Sequence, residues 1–247
     1  MGDLDVRRLD FGWFVRPGEE TGTGSPRVEA CLGYLVSHPE GFLLFDTGMG
    51  SDPEVDAHYR PRRRPLVDAL AQHGIRLDEV TEVTNCHLHF DHCGGNPLVA
   101  DRPTFVQRTE LSAARTATDY TLPELVEGSR FVELDGETEI LPGILLLPTP
   151  GHTAGHQSLV VRRGDGSVVV AGQSHDTASA YGADVLARDA SRVGHPQPLP
   201  LAPAWIDRLQ ELDPREVFFA HDHAVWMPGQ VTSHVPDARG SERGRCP

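Results

Sequence analysis

Short apolar runs separated by turn-forming residues dominate the chain. Residues 30–36 and 42–45 flank His38-Pro39-Glu40-Gly41 and predict a β-hairpin, with Asp46-Thr47-Gly48 closing its second strand. Within residues 65–73, Leu66, Ala69 and Leu70 fall at helical spacing and Gly74 supplies a C-cap. Residues 80–86 then turn strand-like, and further strands are predicted at 104–107, 131–134, 144–147, 157–161 and 168–171, with Thr109 as the cap of a short helix. A last helix over 203–212 opens on Pro203 and precedes a buried strand at 216–220. The segment 236–247 is polar, rich in Arg and Gly, and reads as a disordered tail. With no fixed-period repeat and no long linker, residues 1–235 read as a single α/β domain of layered sheets flanked by helices.

Composition narrows the chemistry. The chain has 247 residues, enough to bury a core without disulfides. No apolar run is long enough to span a membrane and the charged N-terminus lacks a secretory core, so a soluble, cytoplasmic protein is expected. A net charge of −14 repels a phosphate backbone and argues against nucleic acid as a partner. A small molecule is the expected partner, and a homodimer is compatible with the sequence. All 22 basic residues are Arg, which excludes Schiff-base lysine chemistry and a Walker-type phosphate lysine. Together with 25 Gly and 20 Pro, that usage suggests a GC-rich bacterial source. Cys31, Cys86, Cys93 and Cys246 are irregularly spaced with no C-x-x-C pair, so reduced thiols are expected.

The remaining chemistry belongs to His, Asp and Glu. The strand ending at Cys86 runs into His87-Leu88-His89-Phe90-Asp91-His92, followed by Cys93-Gly94-Gly95-Asn96, which packs three imidazoles and a carboxylate into six residues. Imidazole nitrogen and carboxylate oxygen suit zinc or iron(II), and the glycines let the backbone turn tightly enough to converge them. Two more histidine sites end predicted strands: Thr149-Pro150-Gly151-His152-Thr153-Ala154-Gly155-His156 and Phe218-Phe219-Ala220-His221-Asp222-His223.

H-x-H-x-D-H, then G-H-T-x-G-H, then a strand ending in His-Asp, with the early Phe45-Asp46-Thr47-Gly48, resembles the metallo-β-lactamase fold over residues 25–225. The stretch Val106-Gln107-Arg108-Thr109-Glu110, Pro142-Gly143 and Gln157-Ser158-Leu159 make the chain most similar to the N-acyl-homoserine lactonases. The resemblance implies an αββα sandwich of two mixed sheets flanked by helices. It implies a metal-dependent hydrolase, with zinc as one or two ions and iron or manganese as alternatives. His87, His89 and His152 would hold one metal, and Asp91, His92 and His221 the other. Two metals roughly 3.5–4 Å apart can share a hydroxide that attacks an acyl carbon, a lactone by resemblance, while one polarises the carbonyl oxygen. Asp91 would also steer the hydroxide or a leaving-group proton.

The chain departs from that family where an aspartate bridges both metals: here stands Gln173. A neutral amide is a weaker ligand, so the second metal is expected to bind less tightly. Asp176 stands where the lactonases carry a tyrosine that helps bind substrate. Asp176 or His175 is a candidate replacement ligand, and each is equally readable as a solvated loop residue. His156 is read as a hydrogen-bond partner behind the ligands, His223 as facing away from them, and Cys86 and Cys93 as buried fillers. Asp46 is read as a supporting residue rather than a ligand. Arg60, Arg62, Arg63 and Arg64 read as a solvated face, with a substrate anion as the alternative. The changes at 173 and 176 leave two rivals open: a thioesterase, other esterase or β-lactam hydrolase of the same fold, in a biosynthetic pathway, and a non-catalytic ligand-binding member.

Overall fold

The computed structural model describes residues 4–118 and 120–229. In chain order the elements are β1 (Val6–Arg16), β2 (Arg27–His38), β3 (Gly41–Phe45), α1 (Pro53–Tyr59), β4 (Arg62–Arg63), α2 (Leu66–Ala71), β5 (Val80–Thr84), α3 (Phe90–Cys93) and β6 (Pro103–Gln107). They continue as α4 (Arg108–Thr116), β7 (Arg130–Leu134), β8 (Thr138–Leu141), β9 (Ile144–Pro148), β10 (Gln157–Arg163), β11 (Gly166–Val170), α5 (Ala178–Arg192), α6 (Trp205–Glu211) and β12 (Pro214–Phe218). Seven strands form one sheet in the order β4-β1-β2-β3-β5-β6-β7, and five form another in the order β12-β11-β10-β9-β8. Both sheets are mixed: β3, β5, β6 and β7 run parallel, as do β11 and β12, and the other pairings are antiparallel.

Period-2 alternation explains the layering. On β2, Leu32, Tyr34 and Val36 face the second sheet, while Cys31 and Leu35 face α2. On β9, β10 and β11 one set (Ile144, Leu146, Leu159, Val161, Val168, Val170) meets the first sheet, and the alternate set (Leu145, Leu147, Val160, Val169) meets α5 and α6. Strands covered on both faces read as continuous apolar runs, which is why these were legible. The result is the expected αββα sandwich, with α2 on one outer face and α5 and α6 on the other. No helix among the described residues is long and apolar enough to cross a membrane.

Several boundaries differ from expectation. Thr109 does not cap α4. The helix begins at Arg108 after an extended Gln107 with no side-chain cap, and the Gln107 amide is engaged by Gly136 and Gln157 instead. The strand expected over 80–86 stops at Thr84, because the Cys86 N–H leaves the ladder for Asp46 Oδ1 at 2.8 Å. The segment 236–247 and Cys246 lie outside the described residues.

Candidate metal centre

Strand ends at one edge of the sandwich carry the candidate residues. His87 and His89 follow β5, Asp91 and His92 lie in α3, His152 lies between β9 and β10, Gln173 follows β11 and His221 follows β12. The turn through α3 is clamped to the loop after β3 by backbone bonds: Thr47 N–H to His92 O (2.8 Å), Gly94 N–H to Gly48 O (2.7 Å) and Gly50 N–H to Phe90 O (2.7 Å). The opposite sheet joins the same corner through Gln157 N–H to Cys86 O and Leu32 N–H to Ala220 O, both 2.9 Å.

Six side chains meet there in two sets of three, and Cys86 forms a third grouping with His87 and His92, one ring from each set. His89 Nδ1 lies 3.0 Å from His87 Nε2 and 3.1 Å from His152 Nε2. Asp91 Oδ2 lies 3.5 Å from both His92 Nε2 and His221 Nε2. The donor atoms of each set fall within 4.8 Å of one another, a separation that one ion can span. His221 Nε2 is buried and has no hydrogen-bond partner among the described residues, while its Nδ1 donates to Ala30 O at 2.8 Å. An orphaned buried nitrogen costs about 1–3 kcal/mol unless something accepts its lone pair, so this donor set fits a cation.

The electrostatics of the three-histidine set agree with that fit. Burial, reinforced by the surrounding imidazoles, holds His87 well below the ordinary histidine range, so its ring is neutral and free to donate a lone pair. Burial alone would raise Asp91, but His92 and His221 outweigh it and hold the carboxyl well below the usual range. Burial and the Asp46 carboxylate push Cys86 up, keeping a neutral thiol.

Gln173 reaches the centre: it is 3% exposed, with Oε1 3.3 Å from His92 Nε2. Its N–H donates to His156 Nε2 at 3.1 Å, and His156 Nδ1 donates to Thr149 O at 3.1 Å. His156 thus braces the loop and enters neither donor set. Asp176 and His175 are engaged elsewhere and join neither set. Asp176 Oδ2 accepts from Arg27 Nη2 at 2.7 Å, and His175 Nε2 pairs with Asp184 Oδ2 at 2.9 Å. His223 is exposed. In the arginine cluster, Arg63 bonds Asp56 and Gly50 O, and Arg64 pairs with Asp10 at 2.6 Å. These two therefore tie β4 and its flanks to the fold, while Arg60 and Arg62 are exposed.

Three features escaped the sequence reading. Glu110, 1% exposed, accepts from Leu88 N–H (2.8 Å), the Thr153 hydroxyl (2.7 Å) and the Tyr120 hydroxyl, joining the two histidine turns. Only its place in the family-like stretch 106–110 hinted at it. Arg16, from a strand that was not expected, lines the cavity above the centre. That cavity of about 1080 Å3 also exposes His89, Asp91, His152 and Gln173. Phe14, Tyr59 and Phe90 form an aromatic wall on it, Tyr59 and Phe90 stacking with ring centroids 4.9 Å apart.

The sequence matches the metallo-beta-lactamase superfamily over residues 26–221. An N-acyl homoserine lactonase of Bacillus thuringiensis is 31% identical over 206 residues, covering 76% of this chain and 80% of that protein. The solved structure of an N-acyl homoserine lactone hydrolase, with the product N-hexanoyl-L-homoserine at its catalytic metal centre, superimposes with a TM-score of 0.69 at 26% identity. That match covers 88% of this chain and 93% of the other. A dizinc quorum-quenching lactonase shares the fold at 16% identity, with a TM-score of 0.62 over 90% and 88% of the two chains. With two donor sets at one edge of an αββα sandwich, the chain belongs to the metallo-beta-lactamase superfamily and is a hydrolase of that fold.

Proposed function

We propose that the chain is a zinc-dependent lactonase that opens the ring of an N-acyl homoserine lactone, with His87, His89 and His152 holding one ion and Asp91, His92 and His221 a second. The observation that carries this reading is the pair of donor sets side by side, with His89, His152 and Asp91 lining a cavity that has an aromatic wall. When bound, zinc supplies Lewis acidity toward the acyl carbonyl and makes water a better nucleophile near neutral pH. The protein's part is orientation and proton handling. Tyr59 and Phe90, backed by the buried Phe14, offer an apolar surface to an acyl chain, which orients the ester carbon toward the histidines. Asp91 lines the same cavity and would orient the attacking water, steering its proton to the ring oxygen as that bond breaks.

The experiment is a substrate panel on zinc-loaded enzyme: acyl-homoserine lactones of increasing chain length, with ring opening followed by acid release. Turnover that rises with acyl length supports the reading, and no lactone opening by enzyme with full metal content sinks it. A second reading, an ester or thioester of different shape, is favoured by the Asp176–Arg27 ion pair, which stands where the lactonases carry a tyrosine. Acyl thioesters in the same panel separate the two.

A further inference from the structure

A sulfur closes the outer side of the donor cluster. Cys86 is fully buried, and its Sγ lies 3.1 Å from His87 Nδ1, 3.2 Å from His92 Nδ1 and 3.1 Å from Asp46 Oδ2. One of these rings belongs to each donor set. A neutral ring that presents its Nε2 lone pair to the centre keeps its proton on Nδ1 and must donate it outward. His92 Nδ1–H has the Asp46 carboxylate at 2.9 Å. His87 Nδ1–H has, among the described residues, the Cys86 sulfur alone as its hydrogen-bond partner.

Asp46 completes the relay. Its Oδ1 accepts the Cys86 N–H at 2.8 Å, and its Oδ2 faces both the thiol and His92. The residue sits at φ 62°, in the left-handed region, with its own N–H held by Thr84 O at 2.9 Å. The room for the sulfur is also specific: a Cβ on Gly172, whose φ is 60°, would meet Cys86 Cβ at 2.5 Å and Sγ at 3.0 Å.

We infer that Cys86 is a positioning residue whose sulfur accepts a hydrogen bond from His87 Nδ1–H and whose S–H donates one to Asp46, so that one carboxylate orients an imidazole in each donor set. This rests on the ligand assignment proposed above. Cys86 thereby does more than fill space: a hydroxyl can serve in the same relay, and a methyl group cannot.

The test compares wild type, Cys86→Ser, Cys86→Ala and Cys93→Ala, each loaded with zinc and titrated against a chelator. Cys93 is the packing control, a buried thiol in the same turn whose sulfur contacts the Leu88 and His89 carbonyls and Thr121. Cys86→Ala is expected to weaken zinc binding at the three-histidine set by roughly 10–100-fold, the range for losing such a supporting partner. Cys86→Ser should recover most of that loss, and Cys93→Ala should stay near wild type. In zinc-loaded wild type, nitrogen-proton NMR should find His87 protonated at Nδ1 with slow exchange, a readout that needs no variant to fold. Protonation of His87 at Nε2, undiminished zinc affinity in Cys86→Ala, or equal losses in the Ala and Ser variants would each overturn the inference. His87→Ala is the separate check on its foundation, since unchanged zinc binding there would sink the ligand assignment itself.

Discussion

Gln173 contributes an amide oxygen beside His92 where a carboxylate would add charge. The two donor sets together carry one formal negative charge, that of Asp91, to set against the two ions proposed above. Gln173→Asp is therefore expected to raise zinc occupancy toward two ions per chain and to tighten the weaker ion by roughly 10–100-fold, the scale of nearby ligand-shell changes. Metal analysis with chelator titration reads both quantities. Asp176→Asn should leave both unchanged, because that carboxylate is spent on Arg27. Two tightly held ions in wild type would show that the missing charge comes from elsewhere. His87→Ala and His89→Ala each remove a donor from a set of three, and both are expected to lose the ion of that set and, with it, hydrolysis of the panel substrates.

At the scale of elements, Glu110 at the start of α4 is the tie between the His87-His89 turn and the His152 turn. Glu110→Ala strands two buried donors, Leu88 N–H and the Thr153 hydroxyl, and should destabilise the chain by roughly 2–4 kcal/mol, visible as a lower urea midpoint. The clamp was hard to read because a lone glutamate on a short helix resembles any solvated charge until its partners are known. The histidine-bearing strand ends were legible, since β9, β10 and β11 are buried on both faces as apolar runs that border the chemistry, and β5, though mixed, runs straight into the histidine cluster. β1 was not. Its buried residues are Leu9 and Phe11 and then Phe14, because a bulge between Asp10 and Trp13 shifts the alternation by one position. The bulge turns on Gly12 at φ 99°, where a Cβ would strike Arg62 O at 1.8 Å. Arg16 and Phe14, both lining the cavity, were lost with that strand. α5 was missed for a different reason: Ala, Gly and Asp fill it, and only Ala178, Tyr181, Val185 and Ala187 are buried along 15 residues.

The whole molecule holds five histidines of its central cluster, His87, His89, His152, His156 and His221, in a place that opposes protonation, and this sets its response to acid. His87 and His156 are fully buried, and burial holds both well below the ordinary value near 6.5 that an unfolded chain would show. Below pH 6.5 the unfolded chain binds more protons than the folded one, so stability is lost as pH falls from 6.5 through the folded values and is fully present above 6.5. The neighbours of His92 outweigh its burial and raise it, so that residue acts in the opposite sense, offsetting part of the slope near pH 6.5 and dropping out as the unfolded chain becomes fully protonated toward pH 5. Metal-free protein should therefore show a urea midpoint that drops between pH 6.5 and 5, by about 1.4 kcal/mol per pH unit for each buried neutral histidine. A flat profile over that range would mean the cluster opens to water without metal.

His221 and His92 stand more than a hundred residues apart in the chain and follow strands of opposite sheets, β12 and β5, yet their ring nitrogens converge on the one carboxylate of Asp91. An ion seated among them is in effect a reversible cross-link, closing a chain loop as a disulfide does in a protein built in an oxidising compartment. For a rigid tie over about 100 residues the loss of unfolded-chain entropy is worth roughly 4–5 kcal/mol. Three buried thiols are free among the described residues, so zinc would be the staple of this sandwich as well as its reagent. Chelation is expected to lower Tm and to bring the largest rise in amide exchange to the Gln157–Cys86 and Leu32–Ala220 hydrogen bonds, the corner where the two sheets are joined.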